Sequence, residues 1–225
     1  MTLALLPLVA VACGDDDATT TTTGAAAGSA DYQAFRSQPT ACGAESPPPP
    51  TPMQFDAPGD AGVTGPIGVV LHTSCGAITL ELDPALAPET VNSFVFLARQ
   101  GYFDGTASHR ILPGFVIQAG DPTASGTGSP GYTLPDEFPA EGFAYDRGVL
   151  AMAKTPAPHS GGSQFFIVLG PTGLPAAYSV FGRVTDGFDV IDLITSVPLG
   201  LNEFGTETSH PLETVYLERV EILGG

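Results

Sequence analysis

The chain has 225 residues and a formal net charge of −17, from 7 Lys and Arg against 24 Asp and Glu. This charge argues against nucleic acid and against an anionic membrane surface as direct partners, because both are themselves negatively charged. No Cys or His spacing is typical of a metal site, and we expect neither a metal nor a cofactor.

The first thirteen residues, MTLALLPLVAVAC, are apolar and of signal-peptide length, too short to span a bilayer as a helix. Ala10-Val11-Ala12-Cys13 resembles a bacterial lipobox, although Ala10 stands where Leu is usual and no Lys or Arg precedes the run. We therefore predict a signal peptide over residues 1–13, lipidation of Cys13 and an extracytoplasmic lipoprotein of the cell envelope. A secreted or periplasmic protein without lipid, and a buried first helix, stay open as alternatives.

Residues 14–64 are rich in Thr, Ala and Gly and contain the run PPPPTP. Such a composition buries too little apolar surface to offset the entropy of ordering, so we predict a disordered tether. Tyr32, Phe35 and Arg36 alone point to a short docked segment. Residues 65–225 then form one domain with a single core.

The chain has three cysteines. If lipid occupies Cys13, then Cys42 and Cys75 remain as a possible disulfide between the end of the tether and the first strands. Two unpaired thiols are the alternative.

Alternating apolar residues predict many short strands in the domain, beginning with a hairpin over residues 67–72 and 77–82. A helix is expected to begin at Pro88 and to stop before Gly101, and a second one to run from Phe188 to Thr195. Many strands with only two helices are typical of a closed antiparallel barrel with a helix at each end.

The segment HRILPGFVIQAGD places a guanidinium, that of Arg110, in an apolar strand-like run. Such a charge is costly to bury unless hydrogen bonds recover it. Pro113-Gly114 breaks the strand. Alternation puts Arg110 and Leu112 on one face before the break, and Val116 and Gln118 on one face after it.

A second run, SGGSQFFIVLG, leaves Gln164 and Phe166 on the face opposite its core residues. Together the two runs predict apolar walls with a few placed polar groups. A small apolar ligand with one hydrogen-bonding edge, such as a prolyl residue, fits such walls.

In order and spacing, HRILPGFVIQAGDP, GVLAMAKT, GGSQFFIV and YSVFGRV resemble the signature segments of the cyclophilin family of peptidyl-prolyl cis/trans isomerases. The resemblance covers about residues 65–225. It implies a mainly β fold, a closed antiparallel eight-stranded β-barrel capped by two helices. It also implies isomerisation of X-Pro bonds in proline-containing polypeptide clients. We expect a monomer that touches the membrane only through its lipid anchor.

By this resemblance Arg110 acts on the prolyl nitrogen, with Gln118 as its polar neighbour and Phe115 in the proline pocket. Phe115 and Phe166 as ordinary core residues are the alternative, and His109 is expected to make a structural hydrogen bond. The remaining substrate-binding positions that the resemblance implies are His109, Leu112, Val116, Ala153, Lys154, Gln164, Phe166, Leu174 and Tyr178.

Three positions depart from the family pattern at the rim of the pocket. Gly173 stands where many members have Trp, Tyr178 where His is common, and Lys154 where Asn is common. Loss of the Trp is expected to weaken cyclosporin-type binding more than turnover. Lys154 places a cation beside the groove, which would favour acidic residues next to the proline.

Two other function classes stay open. A proline-binding adaptor would keep the pocket without turnover, and a hydrolase would cleave the peptide. The glycine-rich run from Gly126 to Gly131 is not expected to bind a nucleotide, because Pro130 interrupts it and no helix follows.

Overall fold

The computed structural model describes residues 28–224. The predicted signal peptide, Cys13 and the first part of the tether lie outside the described residues, so the predictions about them stand untested. None of the helices in the described range is long and apolar enough to cross a membrane.

Short strands dominate the described chain, together with a 3-10 turn at Ala41–Gly43. The helices are α1 (Ala30–Ser37), α2 (Pro88–Arg99) and α3 (Phe188–Thr195). The strands are β1 (Ile67–Thr73), β2 (Gly76–Leu82), β3 (Thr106–Ala107), β4 (Arg110–Leu112), β5 (Val116–Ala119), β6 (Val149–Met152), β7 (Phe165–Val168), β8 (Val180–Asp186), β9 (Leu199–Leu201), β10 (Thr208–Pro211) and β11 (Tyr216–Ile222).

Nine strands form one curled sheet in the order β3-β11-β1-β2-β8-β6-β7-β5-β4, and β9 pairs with β10 as a separate hairpin. All described pairings within the sheet are antiparallel. The predicted closed eight-stranded barrel is therefore wrong in strand number and closure, whereas the two helices predicted for the domain are confirmed as α2 and α3. The two edge strands are consecutive in the chain, and Ser108-His109 joins them covalently where a closed barrel would have a hydrogen-bonded ladder.

The main core lies between α2 and the concave face of the sheet. Phe94 on α2 is buried and packs its ring against those of Phe103, Phe165 and Phe181, with centroids 5.0, 5.4 and 5.4 Å away. Burying each such ring contributes about 1.5–3 kcal/mol relative to exposure. This cluster fixes α2 on the sheet and leaves the opposite face of β5, β6 and β7 for the site.

The carboxylate of Glu137 caps the N-terminus of α2 from a distant loop. It accepts hydrogen bonds from the backbone N–H groups of Glu89 and Thr90, both at 2.9 Å, and from the Thr90 hydroxyl at 2.7 Å. A negative charge at this end of a helix interacts favourably with the helix dipole. The loop before β6 is thereby tied to the core.

The segment that the sequence predicts as a disordered tether packs against the domain from α1 onward. Tyr32 and Phe35 on α1 are only 0% and 2% exposed, and the Tyr32 hydroxyl donates to the carbonyl of Gly105 at 2.8 Å. The sulfur atoms of Cys42 and Cys75 are bonded, which joins this segment to the β1–β2 turn. Average composition does not reveal these anchors, whereas Tyr32 and Phe35 on their own indicate a docked segment in the sequence.

The disulfide predicts a measurable loss of stability on its removal. We expect Cys42→Ser with Cys75→Ser to lower the free energy of unfolding by about 2–4 kcal/mol, because the bond constrains the unfolded chain. The sequence separation that it closes is 33 residues. Urea unfolding measures the change, and wild-type protein in reductant should lose the same amount. Equal midpoints for oxidised wild type and the double variant would contradict the structural role of this bond.

Candidate active site

A cavity of about 150 Å³ lies over the outer face of β5 and β7. All of its lining residues are among the positions that the sequence predicts for catalysis and substrate binding. They are Arg110, Phe115, Val116, Gln118, Ala153, Lys154, Phe166, Leu174 and Tyr178. Three predicted positions, His109, Leu112 and Gln164, lie outside this cavity, which we call the proline pocket.

Strand register brings the polar tips and the aromatic floor together. Arg110 is directly opposite Gln118 in the β4–β5 pair, and Gln118 is directly opposite Phe166 in the β5–β7 pair. Residues paired in this way have neighbouring side chains on one face of the sheet. The period-two alternation of the sequence therefore places a cation, an amide and an aromatic ring side by side.

Pro113-Gly114 forms the tight turn between β4 and β5. Gly114 has a φ of 76°, in the left-handed region that favours glycine, and the N–H of Phe115 donates to the carbonyl of Leu112 at 2.9 Å. The turn directs the Phe115 ring into the pocket, where the guanidinium carbon of Arg110 lies 5.5 Å from its centroid. Leu112 pairs with Val116 beside the turn and does not reach the cavity.

The floor of the pocket is a small apolar cluster separate from the main core. Val116 and Phe166 are buried in it, and Phe115 and Tyr178 pack against it. The Tyr178 ring meets the Phe166 ring edge-on at a centroid distance of 5.4 Å. The Tyr145 hydroxyl holds the Tyr178 backbone by donating to its carbonyl at 2.8 Å. Phe115 and Phe166 therefore both line the pocket, and Phe166 is at the same time a buried member of this cluster.

The position at which the resemblance leads us to expect Trp carries no side chain in this protein. Gly173 is exposed, has a φ of 64°, and has no heavy atom within 4 Å of where a Cβ would lie. Leu174 and Tyr178 line this side of the pocket instead. The rim is consequently lower here than a Trp would make it.

Two glutamines form a hydrogen-bonded chain behind the pocket. Gln118 donates from Nε2 to the side-chain oxygen of Gln164 at 2.9 Å, and Gln164 donates from Nε2 to the carbonyl of Gly128 at 3.1 Å. Gln164 therefore orients Gln118, and it lines a neighbouring cavity of about 240 Å³ instead of the proline pocket.

The loop that carries Gly128 is folded around the buried carboxylate of Asp121. This carboxylate accepts from the backbone N–H groups of Thr123 at 2.7 Å, Gly126 at 2.7 Å and Gly128 at 3.0 Å. A Cβ on Gly128 would lie 1.9 Å from Asp121 Oδ1, so only glycine fits there. The glycine-rich run thus donates its N–H groups to a carboxylate of the same chain, and a phosphate would have to compete for them.

His109 lies behind Arg110, and its expected structural hydrogen bond is not made. Both of its ring nitrogens are buried and have no partner in the described part of the chain. Burial lowers the pKa of this imidazole, with Arg110 adding to the effect and Asp121 opposing it. His109 is therefore neutral around pH 7.

Lys154 does not present a free cation to the pocket. Its ammonium lies 3.2 Å from the Asp136 carboxylate, and the two side chains are only 11% and 13% exposed. The same ammonium lies 4.9 Å from the centroid of the Phe138 ring. Because its charge is already compensated, Lys154 gives little support to the expected preference for acidic residues beside the proline.

Glu207, in the loop between β9 and β10, is the site residue that the sequence analysis missed. Its two carboxylate oxygens accept from Arg110 Nε at 2.8 Å and from Arg110 Nη2 at 2.7 Å. These hydrogen bonds lower the pKa of Glu207 to about 2, against the opposing effect of burial. Glu207 is 97 residues from Arg110 and belongs to no quoted motif, so local sequence patterns carried no sign of the contact.

Residues 68–222 match the model of the family described as cyclophilin type peptidyl-prolyl cis-trans isomerase/CLD. A protein named peptidyl-prolyl cis-trans isomerase B from Streptomyces anulatus is 39% identical over 171 residues, which are 68% of this chain and 94% of that protein. One named peptidyl-prolyl cis-trans isomerase-like 1 from Gibberella zeae is 38% identical over 159 residues, 69% of this chain and 94% of that protein.

Some curated relatives are much longer than the matched region. A peptidyl-prolyl cis-trans isomerase from Arabidopsis thaliana is 45% identical over 121 residues, which are 52% of this chain but only 24% of that protein. Among solved structures, a cyclophilin type peptidyl-prolyl cis-trans isomerase from Cryptosporidium parvum aligns with a TM-score of 0.62 and 30% identity. It covers 71% of this chain and 99% of that one. The chain therefore belongs to the cyclophilin-type peptidyl-prolyl cis-trans isomerase family.

Proposed function

We propose that this protein accelerates cis/trans isomerisation of X-Pro bonds in extracytoplasmic polypeptides, anchored to the cell envelope through lipid on Cys13. The observation that carries the catalytic part is the guanidinium of Arg110 at the edge of an apolar pocket floored by Phe115 and Phe166. The lipobox-like residues 10–13 and the Cys42–Cys75 disulfide support an oxidising location outside the cytoplasm.

The chemistry needs no covalent intermediate. Rotation about a peptide bond meets a barrier of about 18–20 kcal/mol because the nitrogen lone pair is delocalised into the carbonyl. A donor aimed at the prolyl nitrogen stabilises the twisted state, in which that lone pair is localised, more than the planar state. Four decades of acceleration need about 5–6 kcal/mol of this differential stabilisation.

Different residues of the pocket hold the prolyl ring and contact the backbone beside it. Phe115, Val116 and Phe166 seat the prolyl ring by apolar contact, which holds one side of the bond while the other side turns. Gln118, oriented by Gln164, offers an amide to the neighbouring backbone. A related Cryptosporidium parvum protein was crystallised in the presence of the dipeptide Ala-Pro, which supports a proline-containing ligand for this pocket.

Glu207 acts as a positioning residue for Arg110. The bidentate contact occupies Nε and Nη2, so the guanidinium orientation is set before substrate arrives and Nη1 is left for the ligand. Preorganised donors stabilise a transition state without reorganisation at the moment of reaction. The contact also offsets part of the charge of Arg110. That offset is the observation that favours the second candidate function, a proline-binding adaptor with weak turnover.

Arg110→Ala tests the catalytic role of the guanidinium. We expect kcat/KM for a short X-Pro peptide to fall on the order of 100-fold or more, the usual cost of removing one preorganised donor. Exchange between the cis and trans forms, followed by NMR, measures the rate without a coupling protease. Arg183→Ala is the matched control, because it removes an exposed guanidinium that pairs with Glu81 away from the pocket. Wild-type protein that binds the peptide without accelerating exchange would establish the adaptor instead.

Glu207→Gln tests the positioning role of the carboxylate. We expect kcat to fall about tenfold with little change in KM, because one charge-assisted hydrogen bond and the fixed orientation are lost. Glu141→Gln removes an equivalent charge from an exposed loop residue and should leave both constants unchanged. A KM effect alone would contradict a positioning role.

The acid dependence of the same ion pair gives a separate check. Glu207 has its pKa lowered from 4.5 to about 2, so the pair is complete above pH 4.5 and is lost only as the pH falls through about 2. We expect the ratio of wild-type to Glu207→Gln kcat to stay constant from neutral pH down to about pH 4.5. A ratio that falls towards one between neutral pH and about pH 4.5 would contradict the low pKa of Glu207 in this ion pair.

The proposed anchoring to the cell envelope predicts a lipidated N-terminus. Mass spectrometry of the mature protein from a bacterial membrane fraction should find diacylglyceryl on Cys13, and Cys13→Ser should remove both the lipid mass and the membrane association. An unmodified N-terminus beyond residue 13 would support the secreted alternative instead.

A further inference from the structure

A second cavity, of about 270 Å³, adjoins the proline pocket and shares Arg110 and Gln118 with it. We call it the side cavity. Its walls come from α1, from the loop after Asp121 and from the loop between β9 and β10. Because α1 lies outside residues 68–222, which match the family, this wall is an addition to the family domain.

The side cavity carries uncompensated negative charge. Asp31, Glu203 and Glu207 line it, and Arg110 is the one Lys or Arg among its described lining residues. Glu207 is committed to Arg110, whereas Asp31 and Glu203 are exposed and make no ion pair within residues 28–224. His210 also lines the cavity, and burial lowers its pKa, so it adds no charge at neutral pH.

Apolar surface flanks these carboxylates on both sides. Ala34 and the buried Phe35 form the wall on α1, and Phe204 forms the wall on the opposite loop. Phe204 is 76% exposed, so its ring has little protein packed against it. The methylene stem of a Lys or Arg side chain covers apolar surface of this kind while its charged end reaches a carboxylate.

His109 provides an independent sign of a ligand. Its ring lines the side cavity, and both ring nitrogens are buried without a hydrogen-bond partner in the described chain. Nearly all buried polar groups in native proteins have such a partner. The neighbouring lining residue Gly126 lies against this ring, since a Cβ there would be in ordinary van der Waals contact with Nε2 at 3.9 Å.

We propose that the side cavity is an extension of the substrate groove that binds a Lys or Arg side chain a few residues from the X-Pro bond. The inference rests on the proposed function, because the shared Arg110 and Gln118 place the side cavity directly beside the proline pocket. It replaces the expected preference for acidic neighbours, since Lys154 is paired with Asp136 while Asp31 and Glu203 are free of ion pairs in the described range.

A peptide series tests the proposal with the full-length protein. Each peptide has one X-Pro bond and carries Lys, norleucine or Glu at one of three positions on either side of it. Norleucine has the same four-carbon stem as Lys but lacks the terminal ammonium group. For at least one position, kcat/KM by NMR exchange should be about fivefold higher for Lys than for norleucine, and lowest for Glu. Raising the salt concentration should shrink the difference.

The double variant Asp31→Asn with Glu203→Gln should bring the Lys-to-norleucine ratio to about one. Glu45→Gln with Glu141→Gln is the matched control, because it removes two exposed charges that do not line the side cavity, and the ratio should persist. A ratio that survives the first variant, or that is one at every position in wild type, would overturn the side-cavity proposal.

Failure of the proposed function gives a different result. If the wild-type protein does not accelerate cis/trans exchange in any of the peptides, the isomerase proposal is wrong. Dissociation constants measured by calorimetry then replace the rates as the test of the side cavity. Tighter binding of a Lys peptide than of its norleucine counterpart, lost in Asp31→Asn with Glu203→Gln, would then still support the side cavity. Equal dissociation constants would overturn it.

Discussion

The ion pair between Arg110 and Glu207 is the interaction on which the site depends. A guanidinium beside an apolar pocket is unfavourable unless its hydrogen bonds are satisfied, and the carboxylate of Glu207 satisfies two of them at 2.8 and 2.7 Å. The contact ties the edge strand β4 to the separate β9–β10 hairpin. It thereby fixes the guanidinium of Arg110 between the proline pocket and the side cavity, and this side chain lines both.

The floor of the site could be predicted from sequence because local periodicity determines it. Arg110, Gln118 and Phe166 become neighbours through the register of adjacent antiparallel strands, and each strand shows its alternation within a few residues. The contacts that compensate charge could not be predicted in this way. Glu207 reaches Arg110 across 97 residues, and Asp136 reaches Lys154 from a loop with no periodic pattern.

Average composition also does not reveal how the segment before the domain is held. Residues 30–64 average too few large apolar side chains for a core, yet two buried rings, Tyr32 and Phe35, and one disulfide hold them on the domain. The number of strands favours a closed barrel but carries no information about which strands pair. In the structure β3 and β4 are the two edges of the sheet, and they follow each other in the chain without pairing. The docked segment then has a chemical consequence, because α1 supplies Asp31 and Phe35 to the groove beside the site.

The most direct test of the account is a double-mutant cycle in kcat between Arg110→Ala and Glu207→Gln, measured by NMR exchange on an uncharged X-Pro peptide. If Glu207 acts only by positioning Arg110, Glu207→Gln lowers kcat in the wild-type background and changes nothing once Arg110 is absent. The same proportional loss in both backgrounds would contradict the account, because Glu207 would then act independently of the guanidinium.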